Sequence, residues 1–435
     1  MLLTSSGVVG CREMARLERI HYQPMRFDRI TSDDLPWVAD DTRPSISDLP
    51  QIYFSDGEPW VEVNSYALDR VEMGKSIKTV VSDMGHLRAY ADWLEDEDLD
   101  WRYFPKKKAR RCVFRFRGHL VGQREEGDLS PSTASARMNA VERFYRWAKK
   151  EDLLEQGRLW DDHTVTVSMT TEVGLRRSFP VEKSELSIPN RKRHGDGLEG
   201  GLLPVSEESS RTLLEFLRGE GMVELYLMFL IGFTTGARSE TIRTLRTSTL
   251  DIARPDPSDP NLMRVPVGPP TPVKTKQGVS GEILFPLGLI RQLEKYRTSI
   301  RRLERESKAA VEDKSLLFLT RVGREYTDNS FTDQMSKLKK RLRAAGHKHY
   351  DRLKFHQSRA SFGTWTVSRM LDQGHNPKTI LEFVRMAMLH KDTKTTWEYI
   401  TFVQHSPMKE DLSTRFFDFF SGQDSQFDAG SVFND

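Results

Sequence analysis

A glycine-rich, charged stretch at 191–201, RKRHGDGLEGG, separates two regions of the chain that carry helical periodicity. The chain has 435 residues, more than one hydrophobic core usually serves, so two or three domains are expected. We place the main boundary near residue 203. The sequence predicts five parts, which are an N-terminal arm or cap (1–60), a helical domain (61–157), an insertion or linker (158–202), a second domain (203–410) and a C-terminal tail (411–435).

Helical periodicity is strongest at 76–94 (SIKTVVSDMGHLRAYADWL) and at 129–154 (LSPSTASARMNAVERFYRWAKKEDLL), where apolar residues recur on one face. In the second domain, Ser206 is the expected N-cap of a further helix. The region from about 288 to 420 also has a mainly helical pattern. The sequence therefore predicts a mainly α chain.

Three short segments of the second domain have the pattern of strands: 262–267 (LMRVPV), 272–278 (PVKTKQG) and 281–287 (GEILFPL). We expect the last two segments to form a β-hairpin whose turn runs from Gly278 to Gly281. A small hairpin or sheet among many helices corresponds to the α+β fold class.

Composition excludes several classes of protein. The two cysteines, Cys11 and Cys112, are too few for a disulfide framework or a cysteine-rich zinc site. The longest apolar run, LYLMFLIGF at 225–233, is far shorter than the roughly 20 residues that span a bilayer. We therefore expect a protein of the reducing cytoplasm with no membrane partner.

Positive charge is unevenly distributed, although the net charge is only +3. Residues 102–120 contain eight Lys or Arg and no acid, and residues 337–359 contain nine Lys or Arg and one acid. Either tract alone is most simply a solvated helix face. Two separate tracts indicate a polyanion that is bound at two places.

The second domain also contains an ordered series of polar residues that could act on such a polyanion. Each of them alone fits an ordinary role, such as a helix cap, a surface charge or a packed aromatic ring. His356 and Arg359, in HQSR, are three residues apart and share one helix face. The complete series is Arg238, Lys274 or Lys276, His356, Arg359, His390 and Tyr399.

The order of these residues resembles that of the tyrosine recombinase (phage integrase) family. TTGAR is similar to the T-G-x-R motif of the family and gives Arg238, and HQSR matches its His-x-x-Arg motif. LHKDTKTTWEYI is similar to the family's L-G-H-x-x-x-x-T-T-x-x-Tyr and gives His390 and Tyr399. The match covers about 203–410.

Other details of the resemblance are less regular. Thr395 and Thr396 occupy the two threonine positions of the last motif, whereas Leu389 stands where the family has glycine. Thr241 occupies a position that is often acidic. Of the two hairpin lysines, Lys276 lies closer to the turn and is preferred, and Lys274 remains an alternative.

The resemblance implies a helical core-binding (SAM-like) domain, matched here by MGHLRAYADWL, followed by a tyrosine-recombinase catalytic domain. It implies double-stranded DNA as the partner, a homo-tetramer on synapsed DNA, and possible accessory recombination proteins. Such a protein is associated with the nucleoid. The tail sequence TRFFDFF (414–420) either packs on its own domain or docks on a neighbouring subunit.

The implied chemistry is cleavage and rejoining of DNA through a 3′-phosphotyrosine bond, with no metal and no ATP. Tyr399 is the implied nucleophile, and two arginines bind the non-bridging phosphate oxygens. His356 assists proton transfer, His390 donates a hydrogen bond to the phosphate, and a lysine protonates the 5′-oxygen that leaves. The sequence contains neither a GxxxxGK[ST] phosphate loop nor a cluster of carboxylates typical of a two-metal site.

Other functions are compatible with parts of this pattern. A relative that binds DNA without cleaving it would keep the basic tracts and lose the role of Tyr399. An enzyme similar to type IB topoisomerases or to hairpin-resolving enzymes would use the same residues. A metal-dependent nuclease would require divalent ions, and activity in excess chelator would exclude it.

Overall fold

The structure is a computed structural model that describes residues 14–27, 37–154, 157, 159–170, 176–190, 198, 201–391 and 393–413. The chain divides into two compact units, Met1–Lys192 and Arg193–Asp435. The division falls inside the glycine-rich stretch 191–201. In the ranges given above, no helix is long and apolar enough to cross a membrane. Of the predicted tail (411–435), residues 414–435 lie outside the described residues, and they include the segment TRFFDFF (414–420).

The first unit begins with two antiparallel ribbons, where the sequence had predicted only an arm or cap. Strands β1 (Arg16–Tyr22) and β4 (Ile46–Tyr53) pair with each other, as do β2 (Met25–Phe27) and β3 (Trp37–Ala39). The Asn64 side chain accepts from the Ile52 amide (2.7 Å) and donates to the Ile52 carbonyl (3.1 Å). This pair of bonds fixes β4 to the helices that follow.

Four helices form the rest of the core of this unit: α1 (Val61–Glu72), α2 (Ile77–Asp96), α3 (Cys112–Glu126) and α4 (Pro131–Lys150). The helices predicted at 76–94 and 129–154 are thus confirmed. Ser76 and Ser130 cap α2 and α4 by accepting hydrogen bonds from the amides of Thr79 and Thr133. Large aromatic rings fill the space between the helices, among them Trp60, Tyr90, Trp101, Phe144 and Tyr145.

A β-hairpin follows α4 within the segment that had been predicted as an insertion or linker. It consists of β5 (Asp162–Thr170) and β6 (Arg176–Ser184). Its base is fixed to the helices because Arg146 donates two hydrogen bonds to the Asp162 carboxylate, at 2.9 and 2.7 Å. The alternating sequence HTVTVS is typical of a strand.

The second unit is mainly helical and contains one small sheet. Ser206 caps the first helix, as predicted, and accepts a hydrogen bond from the Ser209 amide at 3.1 Å. The elements in chain order are α5 (Glu207–Gly219), α6 (Val223–Thr235), α7 (Ser239–Arg243), α8 (Thr247–Asp251), β7 (Arg254–Pro255), β8 (Leu262–Val267), β9 (Gly281–Pro286), α9 (Leu287–Arg297), α10 (Ile300–Glu306), α11 (Asp328–Ala344), α12 (Gln357–Asp372), α13 (Pro377–Ala387) and α14 (Thr393–Ser413).

The sheet has the order β7-β8-β9, and this corrects the predicted hairpin. β8 pairs with β9 in a register that joins Leu262 to Pro286, and 272–278 is part of the loop between them. That loop begins GPPTP, and proline lacks the amide hydrogen that a paired strand donates. The α+β fold class is confirmed, but the two candidate lysines lie on a long loop and not on a strand.

Candidate active site

A small cleft in the second unit brings together residues that are far apart in sequence. Its walls come from the end of α6, the start of α7, the loop 275–279, α12 and the end of α13. Three cationic residues contribute to the lining: Arg238, Lys276 and Arg359. A site with three cations and no lining carboxylate suits a phosphate group.

Arg238 reaches the cleft because α6 stops abruptly before it. Gly236 ends this apolar helix with a φ of 66°, which an L-residue with a side chain rarely adopts. A Cβ at that position would also overlap the Phe362 ring on α12. Arg238 then begins α7 and is half-buried. The position that is often acidic in the family, Thr241, is buried in the same wall.

Arg359 is the most deeply buried cation of the site, with 1% of its surface exposed. Its guanidinium donates hydrogen bonds to the carbonyl of Gly236 and, at 2.9 Å, to the carbonyl of Met388. These bonds join α12 to the segments that precede α7 and follow α13. A buried charge is costly unless it is hydrogen-bonded, so these two bonds help to stabilise the guanidinium in the cleft.

The two candidate lysines have different surroundings. Lys276 is exposed and lines the cleft with the two arginines. The Lys274 ammonium lies 3.8 Å from a carboxylate oxygen of Glu325, and Lys274 is not among the cleft residues. The geometry therefore favours Lys276, which was also the preferred candidate from the sequence. The catalytic role of Lys276 remains a prediction.

His356 directly precedes α12 and is half-buried. The backbone there is helical, with φ of −62° and ψ of −16°, so His356 begins the turn that contains Arg359. His356 is not among the residues that line the cleft. Of the two residues of the HQSR motif, the structure therefore places Arg359 in the lining of the cleft and His356 outside that lining.

Leu389 connects the cleft with the last motif. It has a φ of 50°, in the left-handed region where glycine is favoured, and the family has glycine at this position. Its side chain covers Gly281, where an added Cβ would overlap it. The next residue, His390, is 5% exposed, and its Nδ1 lies 2.8 Å from the hydroxyl oxygen of Thr396.

Tyr399 lies on α14 and is completely buried. The rings of His390 and Tyr399 are nearly parallel, with centroids 5.9 Å apart and an angle of 27° between their planes. Tyr399 belongs to an apolar cluster with residues of α12 and α13, including Ala360, Val384 and Met388. The structure therefore places Tyr399 beside His390, and the tyrosine is not among the residues that line the cleft.

The contacts of two residues that define this part of the site were not predicted from the sequence. Thr396 fitted a motif position, but no contact could be assigned to it. Gly363, on α12, provides the space in which the Tyr399 ring lies. A useful signal was the spacing of three between Thr396 and Tyr399, which puts both on one face of a helix.

No family model and no curated protein matches the sequence. Similar solved structures include a variant of the Tn1549 transposon integrase in complex with transposon right end DNA, at 14% identity and a TM-score of 0.49, covering 81% of this chain and 98% of that chain. Lambda integrase bound to DNA has 12% identity and a TM-score of 0.47, with coverage of 80% and 96%. A lambda integrase tetramer bound to a Holliday junction has 13% identity and a TM-score of 0.45, with 77% of each chain covered.

These solved structures are integrases. Each TM-score is below 0.5, so the assignment of a function to this chain rests on the side chains of the cleft and its surroundings.

Proposed function

We propose that the chain is a site-specific DNA recombinase of the tyrosine type, which cleaves and rejoins duplex DNA through a 3′-phosphotyrosine bond. The observation that carries the proposal is the convergence of Arg238, Lys276 and Arg359 on one cleft whose wall continues through Leu389 into His390. The nucleophile candidate, Tyr399, packs against that histidine.

In the proposed reaction, the Tyr399 oxygen attacks phosphorus and the bond from phosphorus to the 5′-oxygen breaks. Arg238 and Arg359 bind the non-bridging oxygens and stabilise the charge that develops in the transition state. His356 takes the phenol proton, His390 donates to the phosphate, and Lys276 gives a proton to the departing 5′-oxygen. Attack by a second 5′-hydroxyl reverses these steps. The phosphotyrosine bond conserves the bond energy, so the reaction consumes no ATP, and the proposed steps use side chains and no metal ion.

This chemistry requires Tyr399 to leave its apolar cluster, because a phenol that is completely buried cannot reach a phosphate. We propose that binding of DNA, and assembly of a homo-tetramer on two synapsed duplexes, brings the Tyr399 ring out of this cluster and into the cleft. Accessory recombination proteins would act at this stage.

A group of exposed cations in the first unit further supports DNA as the partner. In the basic tract at 102–120, the side chains of three exposed cations make no ion pair or hydrogen bond with the part of the chain that the structure describes: Lys106, Lys107 and Arg110. Other cations of the tract serve the fold; Arg115, for example, pairs with Glu97. The exposed group fits contact with the phosphate backbone of a duplex.

The burial of Tyr399 also favours a second candidate, a DNA-binding relative that does not cleave. Covalent capture separates the two. Purified protein is incubated with randomly nicked genomic DNA of its source, so that cleaved ends diffuse away, and protein-linked strands are recovered after denaturation and sequenced.

We expect strands linked through their 3′ ends and clustered at one sequence, and none with Tyr399→Phe. Tyr226→Phe, which removes a partly exposed phenol of the same unit, is the matched control and should link DNA normally. If the wild type binds DNA but links none, the second candidate replaces the first.

A further inference from the structure

The ring of His390 is held by a contact from the helix that carries the proposed nucleophile. Nδ1 of His390 lies 2.8 Å from the hydroxyl oxygen of Thr396, and the Thr396 side chain is completely buried. Thr396 lies in the first turn of α14, three residues before Tyr399. One helix face therefore presents both the partner of the histidine and the tyrosine.

A threonine hydroxyl suits this position for a chemical reason. It can donate a hydrogen bond to Nδ1 when the imidazole is neutral, and it can accept one from Nδ1–H when the ring is charged. The same side chain thus satisfies Nδ1 in both protonation states, which assigns the contact with a phosphate oxygen to Nε2. Valine has a similar shape and can do neither.

We infer that Thr396 is a positioning residue, which orients His390 towards the scissile phosphate. The inference rests on the proposed function and adds to it a residue that acts through the histidine. Because Thr396 and Tyr399 share α14, the orientation of His390 depends on where that helix is docked. A single helix, α14, therefore determines the orientation of the phosphate-binding histidine and also carries the nucleophile.

The test is a double-mutant cycle on a nicked duplex that carries the captured target sequence. The rate of covalent linkage is measured in a single turnover for the wild type, Thr396→Val, His390→Ala and the double variant. We expect Thr396→Val to slow linkage about tenfold, which corresponds to about 1.4 kcal/mol, without weakening DNA binding. In the His390→Ala background the same change should have no further effect.

Two variants separate positioning from packing. Thr396→Ser keeps the hydroxyl and loses a methyl group, so it should link DNA within about threefold of the wild-type rate. Thr395→Val changes the neighbouring, half-buried threonine and should have no effect on linkage. If Thr396→Val does not fold, Thr396→Ala takes its place in the cycle.

Equal slowing by Thr396→Val with and without His390 would mean that Thr396 only packs, and the inference would be wrong. Failure of Thr396→Ser to restore the rate would have the same meaning. If the wild type itself links no DNA, the proposed function fails first, and the inference falls with it.

Discussion

The aromatic ring of Tyr399 lies where a methyl group on Gly363 would be. A Cβ added to Gly363 would overlap three atoms of that ring, so glycine at this position on α12 permits the buried tyrosine. We predict that Gly363→Ala displaces the ring and lowers the free energy of unfolding of the second unit by about 1–3 kcal/mol. Chemical denaturation measures the loss, and nitration by tetranitromethane followed by peptide mapping reports exposure of Tyr399.

The control for this prediction is Gly288→Ala, in the first turn of α9, where nothing lies within 4 Å of an added Cβ. This variant should be as stable as the wild type or slightly more so, because alanine is the better helix former. A Gly363→Ala protein with unchanged stability and a Tyr399 that still resists nitration would contradict the packing described here.

The surroundings of the two lysines predict different effects of their removal. Lys276→Ala should slow linkage by about 100-fold or more, as expected for loss of a general acid. Lys274→Ala removes an ammonium that faces Glu325 and should have little effect. A substrate with sulfur in place of the bridging 5′-oxygen tests the role directly, since a thiolate leaves without a proton. It should restore the rate of Lys276→Ala, and an equal defect on both substrates would exclude the acid role.

The exposed cations of the first unit predict the salt dependence of DNA binding. The combined change of Lys106, Lys107 and Arg110 to alanine should reduce the slope of log K against log salt concentration by roughly 2 to 3, since each phosphate contact contributes about 0.9. Arg115→Ala, whose guanidinium pairs with Glu97, should change the slope less. Titrations by fluorescence anisotropy at several salt concentrations measure these slopes. An unchanged slope in the triple variant would place the DNA elsewhere.

Asp256 makes the loop between β7 and β8 sensitive to acid. Hydrogen bonds from the Ser258 side chain and from Arg264, the latter at 2.7 Å, hold the pKa of this carboxyl well below its ordinary value. A carboxyl with a lowered folded-state pKa adds stability above its unfolded pKa of about 3.9, and that stability is lost as the pH falls further. Asp256→Asn should therefore destabilise the protein at pH 7 and have a smaller effect at pH 3. Urea unfolding at both pH values tests this, and an equal difference at the two would be inconsistent with the shift.

Local patterns in the sequence were sufficient for several of the helices and for the N-cap at Ser206. The stripe that includes Val141 and Phe144 predicted α4, and Ser206 predicted the start of α5, because both signals act within one or two turns. The pairing of Leu262 with Pro286 was not predictable in this way. It joins segments on either side of a proline-containing loop, and neither segment alone specifies the register.

For the candidate site, too, local patterns indicated the residues but not their tertiary contacts. The order of polar residues pointed to Arg238, Arg359 and Tyr399. A packed ring was the ordinary alternative for Tyr399, but the local sequence did not indicate which residues would cover it. Its burial depends on Gly363, which belongs to a different helix. The left-handed backbone of Leu389 was also hidden, because leucine is an unusual residue for that conformation.

The two carbonyls that Arg359 binds have a consequence for biosynthesis. Gly236, Arg359 and Met388 leave the ribosome at different times, and the guanidinium can bind both carbonyls only after all three segments have been made and have folded together. A growing chain that already contains Arg238 therefore lacks an assembled cleft. If the chain cleaves DNA as proposed, its active site would therefore be incomplete throughout its own synthesis.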